Sequence, residues 1–249
     1  MTKIEDTTIN KELEEFNFEK INSFEIKDLI KEPSGEITNL ASKIADNTKN
    51  SLSNYSEQQV KFYNDCSQLI FGELIDNNPI LIPAKCGFGK TTFLKSMIST
   101  VITEVENKRI SEEYLPMIIT QERLEDLESL VNKIRDEHGY YEETEKIDYL
   151  YLFKSWNETI NCLNTSPPKN WQESLIRCNS KNCKNFWYCE LSNQMEASKK
   201  SPIIAFSTKK LGIITDSLEE ESGISNYLEF INKNKKVLQR SRLIVDEKP

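Results

Sequence analysis

The chain has 249 residues, of which 37% are hydrophobic and 29% are charged, and its formal net charge is −8 at pH 7. That length is sufficient to bury a hydrophobic core in one large or two modest domains, while the acidic balance argues against general adhesion to nucleic acid. No stretch approaches the roughly 20 apolar residues of a membrane helix, and the acidic, polar start does not resemble a secretory signal. We therefore expect a cytoplasmic protein with no membrane partner.

Residues 1–50 form an N-terminal extension in which the sequence predicts no chemistry. Its apolar residues indicate helical stretches between Leu13 and Ile30, and we expect the extension to be partly helical or disordered. An amphipathic helix follows from Tyr55 to Leu74, because the apolar residues there recur at helical spacing.

Residues 81–93 read LIPAKCGFGKTTF, an apolar run that leads into a glycine-rich loop. In such a phosphate-binding loop the backbone N–H groups encircle phosphate oxygens, and the positive end of the following helix points at them. Only glycine lets the backbone come so close, and Gly87 and Gly89 lie here. The consensus has a glycine where this chain has Ala84. An ordinary strand–loop–helix junction is the alternative, but the preceding apolar strand favours the phosphate loop.

This loop predicts a site for ATP and Mg²⁺. Lys90 is expected to reach the terminal phosphates, and the Thr91 hydroxyl is expected to hold the Mg²⁺ that bridges them. The predicted nucleotide-binding residues of the loop are Ala84, Lys85, Cys86, Gly87, Phe88, Gly89, Lys90, Thr91 and Thr92.

The elements after the loop alternate between helix and strand. A helix is predicted from Thr91 to about Glu106, followed by a strand at Leu115–Thr120 and a helix from Leu124 to about Asp136. Further strands are predicted at Pro202–Phe206 and Arg242–Val245. Such alternation is typical of an α/β domain with a parallel sheet.

The alternation lapses between residues 141 and 200, where four cysteines occur. Cys178, Cys183 and Cys189 are spaced C-x₄-C-x₅-C, and Cys162 precedes them. Four thiolates can hold Zn²⁺ or an iron–sulfur cluster, and unliganded thiols are the alternative. The paired C-x₂-C knuckles of zinc ribbons are absent from the sequence, which favours iron–sulfur. We interpret this stretch as an insertion into the sheet domain.

The cysteine-rich region also reverses the charge of the chain. Residues 169–210 carry eight Lys or Arg against three Glu, a local net charge of +5 that leaves −13 for the remainder. Three aromatic residues at 186–188 are interleaved with Lys181 and Lys184, a mixture suited to stacking on bases beside phosphate contacts. A solvated loop, or aromatic side chains that pack around the cysteines, would give the same pattern.

The strand that begins at Arg242 ends in Asp246 and Glu247. In a P-loop ATPase an Asp at the end of a strand holds Mg²⁺, and a neighbouring Glu polarises the attacking water. We therefore predict that Lys90, Asp246 and Glu247 are the catalytic residues, with Thr91 and Asp246 as the Mg²⁺ ligands. Motors of this kind need a second lobe that supplies an arginine, and this lobe is expected to be missing from the chain.

The motif order resembles the first motor lobe of the XPD/DinG-type superfamily 2 DNA helicases. The cysteine spacing resembles the DinG branch, whereas Lys248 and Pro249 depart from the family's Asp-Glu-Ala-His box. The resemblance covers residues 55–249, and it is carried by Tyr55-Ser56-Glu57-Gln58, the phosphate loop, Gln121-Glu122-Arg123, the four cysteines, the run SPIIAFSTKKL and the terminal Asp-Glu pair.

The resemblance implies a RecA-like lobe interrupted by a four-iron four-sulfur domain that lies beside a path of single-stranded DNA. It implies that Gln58 contacts the adenine of ATP. Its expected partners are single-stranded DNA or a DNA fork, and a second helicase lobe that is a separate polypeptide or was lost by truncation. The nucleic-acid contacts that it implies are Gln121, Arg123, Lys181, Lys184 and Trp187.

The predicted protein is thus an α/β RecA-like P-loop domain with a cysteine-rich insertion and an N-terminal helical extension. Its predicted parts are the extension at 1–50, the motor lobe at 51–140 and 201–249, and the insertion at 141–200. The predicted function is the ATP-binding first lobe of an iron–sulfur DNA helicase, weakly active or inactive in isolation. The alternative is a non-catalytic module that binds nucleic acid or a partner, with a cysteine–metal site and a regulatory nucleotide site.

Overall fold

The computed structural model describes residues 29–75, 88–140, 148–154, 181–215, 225–232 and 234–246, together with residues 162, 173, 177 and 178. The chain divides into two compact units, residues 1–93 and 94–249. Four predicted features lie outside the described residues, namely the helical stretches predicted before residue 29, the strand before the phosphate loop, loop residues 84–87, and Glu247. In the part of the chain that the structure describes, no helix is both long enough and apolar enough to cross a membrane.

Two helices form the core of the first unit. Helix α1 spans Gly35–Asn50 and helix α2 spans Glu57–Phe71. Helix α1 packs on α2, and its buried apolar residues recur at the spacing of one helix face. The buried apolar side chains of the pair are Leu40, Ala41, Ile44, Ala45, Tyr63, Cys66 and Phe71.

Helix α2 begins with a capping box. Ser56 Oγ accepts a hydrogen bond from the backbone N–H of Gln59 at 3.2 Å, and Gln59 Oε1 accepts one from the backbone N–H of Ser56 at 2.8 Å. This reciprocal pair satisfies two N–H groups that the helix leaves without partners, so it fixes the start of the helix. The helix predicted from Tyr55 to Leu74 is therefore confirmed, with slightly narrower bounds.

The remaining elements follow in chain order. They are α3 Lys90–Glu106, β1 Met117–Gln121, α4 Leu124–His138, β2 Leu150–Leu152, α5 Glu190–Lys200, β3 Ile203–Ser207, α6 Thr208–Thr215, α7 Ser225–Leu228, β4 Glu229–Ile231, β5 Val237–Gln239 and β6 Arg242–Asp246. Short 3₁₀ helices lie at Glu112–Tyr114 and Phe186–Tyr188.

A parallel sheet with the strand order β2-β3-β1-β6 forms the centre of the second unit. The predicted α/β class with a parallel sheet is confirmed, and the strands predicted near residues 115, 202 and 242 are all present. Strand β2 falls within the stretch that the sequence analysis assigned to the insertion, yet it pairs with β3. A strand of three residues is too short to show a period, so the sequence did not reveal it.

Helix α4 packs on the sheet through a regular apolar stripe. Leu127, Leu130, Val131 and Ile134 are buried at i, i+3, i+4 and i+7. The helix ends at Gly139, whose φ of +66° is the left-handed conformation that favours glycine at a helix C-terminus. The helix predicted from Leu124 to about Asp136 is confirmed, because burial of this stripe against the sheet stabilises it.

A buried polar network joins α3 to the end of α4. Ser99 Oγ lies 2.9 Å from His138 Nε2, and His138 Nδ1 lies 3.6 Å from Glu106 Oε2. The Tyr140 hydroxyl donates to Glu106 Oε1 at 2.9 Å, and its ring stacks on His138. Because the members of the network satisfy one another, we expect it to fix the relative position of the two helices.

Arg240 ties together the end of α5, the turn before β3, α7 and β4. All five of its guanidinium N–H groups donate to backbone carbonyls, at distances of 2.5 to 3.1 Å. Burial lowers the pKa of this guanidinium to about 10. The accepting carbonyls belong to Ser198, Ser201, Pro202, Tyr227 and Glu229.

Candidate functional site

The end of the phosphate loop is described from Phe88, where the chain enters α3. Gly89 has a φ of +78°, and a Cβ atom at this position would lie 2.8 Å from the Tyr63 hydroxyl oxygen and 3.3 Å from a Leu52 methyl carbon. Both the backbone conformation and the crowding require glycine here. Gly89 was predicted for close approach to phosphate, and this crowding is a second reason for a glycine at the same position.

Aromatic side chains of α2 support the end of the loop. The Tyr63 hydroxyl donates a hydrogen bond to the Phe88 carbonyl, and the Tyr63 ring stacks on Phe93 with centroids 5.4 Å apart. The Phe62 and Phe88 rings pack edge to face, with their centroids 4.9 Å apart. Burial raises the pKa of Tyr63, so its hydroxyl stays a donor. Phe62 and Tyr63 belong to the amphipathic helix predicted from Tyr55 to Leu74, but this role was not predicted, because helical spacing does not indicate which loop a helix face contacts.

Lys90, Thr91 and Thr92 form the first turn of α3, as predicted for the helix that follows a phosphate loop. Thr91 is exposed, while Lys90 and Thr92 are partly exposed. The first turn of a helix carries N–H groups without intrahelical partners and a partial positive charge, which suit a phosphate group. Gln58 is exposed on the first turn of α2, where the neighbouring Gln59 completes the capping box.

Polar side chains form a row at the carboxyl ends of three strands in the second unit. Gln121 of β1 is in register with Ser207 of β3 on one side and with Asp246 of β6 on the other. Gln121 Nε2 donates to Asp246 Oδ2 at 2.9 Å. Open α/β sheets bind ligands outside the carboxyl ends of their strands. Asp246 thus occupies the edge of the sheet that suits a ligand site.

The structure gives Gln121 a different position from the one expected for a nucleic-acid contact. Its side chain is only 5% exposed and is engaged by Asp246, so it is not presented to a macromolecule at the surface. A surface contact for Gln121 was implied only by the resemblance to the helicases, whereas the pairing of β1 with β6 places Asp246 against its side chain. Arg123 is exposed just before α4 and remains available for such a contact.

The four predicted cysteine ligands lie in one neighbourhood. The pKa of Cys178 is raised to about 11, first by burial and then by the nearby thiols of Cys162, Cys183 and Cys189. Cys189 is buried, and its thiol donates to the Phe186 carbonyl at 3.2 Å. Cys178 and Cys189 also pack against the apolar core of the sheet, beside Phe206. None of these four thiols takes part in a disulfide.

Proximity of the thiols does not amount to a preformed metal site. Within the described ranges, no group of three or more His, Cys, Asp or Glu side chains is arranged to hold a metal ion. The donor chemistry, four neighbouring thiols, fits Zn²⁺ or an iron–sulfur cluster, but their arrangement is not closed around one point. Ligation would require the segments that carry them to move together.

The raised pKa of Cys178 predicts a pH-dependent metal affinity. A bound metal must displace the thiol proton. The affinity of the metal-free chain for Co²⁺ should therefore rise roughly tenfold per pH unit between about pH 6.5 and 8.5 for each proton that is displaced. The thiolate-to-cobalt absorption band measures this binding. The Cys178→Ser variant should lose most of the band, whereas Cys66→Ser, which removes a buried thiol of α2, should keep it. Binding that is independent of pH, or an equal loss in both variants, would contradict a thiolate site.

Within the basic region, some side chains in residues 181–188 are exposed, whereas Lys210 is buried. Lys181 and Lys184 are exposed, and Tyr188 is 78% exposed, so it does not pack around the cysteines. The backbone of Trp187 lies in a 3₁₀ helix, but its side chain lies outside the described part of the structure. Lys210 is only 8% exposed, lies over the ring of Phe153, and has its pKa lowered by burial. It therefore adds little to the positive surface that the sequence predicted.

These elements define an α/β protein whose parallel sheet and flanking helices are compatible with a Rossmann-like or RecA-like fold. Comparisons with protein-family models, with curated proteins and with solved structures find no match. The assignment to the α/β class therefore rests on the sheet topology, and the function must be inferred from the residues themselves.

Proposed function

We propose that this chain is the ATP-binding first lobe of an iron–sulfur DNA helicase. The observation that supports this most is Gly89, a glycine required by both conformation and crowding immediately before the helix that begins at Lys90. A phosphate-binding loop needs such a glycine at this point, because the backbone must approach the phosphates at a helix N-terminus. An ordinary strand–loop–helix junction has no such requirement.

The first unit supplies groups whose chemistry fits a nucleotide. Lys90 provides a cation for the terminal phosphates, and the first-turn N–H groups of α3 provide hydrogen-bond donors. The Thr91 hydroxyl is a hard oxygen ligand of the kind that Mg²⁺ prefers. Gln58 is exposed on α2 and is our candidate for contact with the adenine.

The second unit supplies the acidic pair. Asp246 ends β6 at the carboxyl edge of the sheet, and we assign it the role of holding Mg²⁺. We assign Glu247 the role of polarising the water that attacks the terminal phosphate. The hydrogen bond from Gln121 to Asp246 supports this assignment, because ligating carboxylates are commonly oriented by a neighbouring donor.

The cysteine region is our candidate for the contact with single-stranded DNA. Cys162, Cys178, Cys183 and Cys189 would hold an iron–sulfur cluster, or Zn²⁺ as the alternative. Tyr188 offers an exposed ring, and the exposed Lys181 and Lys184 precede it in the sequence. Aromatic rings beside basic side chains are the common means by which proteins bind single strands without sequence preference.

Binding of a fluorescent oligothymidylate tests the DNA assignment. Stacking contributes about 1 to 3 kcal/mol per base, so Tyr188→Ala should weaken binding about tenfold at constant salt concentration. The matched control is Tyr55→Ala, which removes another exposed tyrosine ring beside a lysine in the first unit. An affinity that both variants leave unchanged, or that both reduce equally, would contradict a DNA-binding surface at Tyr188.

A further inference from the structure

The side chain of Gln121 is buried at the carboxyl edge of the sheet with only one of its two polar ends bonded. Its Nε2 donates to Asp246 Oδ2 at 2.9 Å. Its Oε1 is buried and has no hydrogen-bond partner among the residues that the structure describes. This oxygen belongs to a side chain that is 95% buried, so bulk water does not readily satisfy it.

The orientation of this amide follows from its bond to Asp246. If the amide were flipped, two oxygens would face each other at 2.9 Å, so Nε2 must point to the carboxylate and Oε1 must point away from it. A buried amide oxygen without a partner destabilises the folded state, because it has lost its hydrogen bonds to water. An apolar residue at this strand end would avoid that cost, which indicates that the oxygen has a ligand in the functional state.

We propose that Gln121 is a positioning residue for a hydrated divalent cation held by Asp246. Its Nε2 fixes the orientation of the carboxylate, and its Oε1 accepts a hydrogen bond from a water of the cation's shell. This inference rests on the proposed function, in which Asp246 is the Mg²⁺ ligand. Mg²⁺ gives up its waters reluctantly and usually keeps several, so acceptors for those waters are part of a Mg²⁺ site.

The choice of an amide at this position agrees with the inference. A carboxylate at residue 121 would repel Asp246 across 2.9 Å when no cation is bound, whereas an amide donates to it. Thr208, the first residue of α6 directly after β3, also has a buried hydroxyl with no hydrogen-bond partner in the described part of the chain.

Paramagnetic broadening by Mn²⁺ tests the inference on the full chain without requiring catalysis. Mn²⁺ added to the ¹⁵N-labelled protein should broaden the amide signals of Gln121 and Asp246, and excess Mg²⁺ should reverse the effect. Gln121→Met should weaken the Mn²⁺ affinity at least about tenfold, as is usual when a partner of a metal ligand is lost. Gln121→Glu should strengthen it, because the cation relieves the repulsion between two carboxylates.

The controls separate this inference from the proposed function. Gln194→Met removes another buried glutamine, whose Oε1 accepts from the Lys154 N–H at 2.9 Å, and it should leave Mn²⁺ binding unchanged. If Asp246→Asn abolishes binding but both Gln121 variants match the unsubstituted chain, the inference fails and the role of Asp246 stands. If the unsubstituted chain shows no broadening at this edge, the proposed role of Asp246 fails together with the inference.

Discussion

Replacing Arg240 with methionine is expected to lower the free energy of unfolding by about 3 to 5 kcal/mol. The guanidinium donates to five backbone carbonyls, which belong to the end of α5, the turn before β3, α7 and β4. Methionine fills a similar volume but leaves these buried acceptors without donors, and each costs part of its desolvation energy. Urea unfolding monitored by circular dichroism measures the change.

Arg242→Met is the matched control. Arg242 donates a hydrogen bond to the Glu113 carbonyl at 3.2 Å and lies over the Tyr114 ring. Because this hydrogen bond is exposed to solvent, its loss should cost only about 1 kcal/mol. Equal losses in the two variants would show that the carbonyl cluster around Arg240 is not a principal source of stability.

Replacing Gly89 with alanine should have the second large effect, on both stability and ATP binding. A φ of +78° costs an L-residue about 1 to 2 kcal/mol, and the added Cβ would also meet the Tyr63 hydroxyl at 2.8 Å. The chain must shift to relieve this contact, so Phe88 and the first turn of α3 move away from their positions. We expect a loss of about 2 to 4 kcal/mol in unfolding free energy and at least about a tenfold loss of ATP affinity.

Gly139→Ala isolates the conformational part of that effect. Gly139 has a φ of +66°, but nothing lies within 4 Å of a Cβ built there. Its substitution should therefore cost only about 1 to 2 kcal/mol and leave ATP affinity unchanged. If Gly89→Ala and Gly139→Ala prove equally mild, the crowding at Tyr63 does not constrain the loop.

The sequence predicted the elements whose pattern is long and regular. Helix α4 shows an apolar stripe over about two turns, from Leu127 to Ile134, and β1 has three consecutive β-branched residues, so both could be located from the sequence alone. The loop end at Gly89 and Lys90 was predicted for a related reason, because the chemistry of phosphate binding restricts the residue types to a recognisable pattern.

The contacts that the sequence could not predict join residues far apart in the chain. The bond between Gln121 and Asp246 spans 125 positions and depends on the pairing of β1 with β6, which no local pattern encodes. The burial of Lys210 is similar, because its charge suggested a surface position while the aromatic cluster around Phe153 determined the actual one. Tertiary packing overrode residue type at both sites.

Equilibrium binding of ATP to the unsubstituted chain and to two lysine variants tests the central claim most directly. Lys90→Ala removes the predicted phosphate-binding cation at the start of α3, whereas Lys95→Ala removes a second lysine of the same helix, which pairs with Glu137 at 2.9 Å. The account predicts saturable ATP binding that Lys90→Ala weakens at least about tenfold and that Lys95→Ala leaves unchanged. Absence of binding in the unsubstituted chain, or equal affinities in the two variants, would contradict a phosphate-binding loop at Lys90.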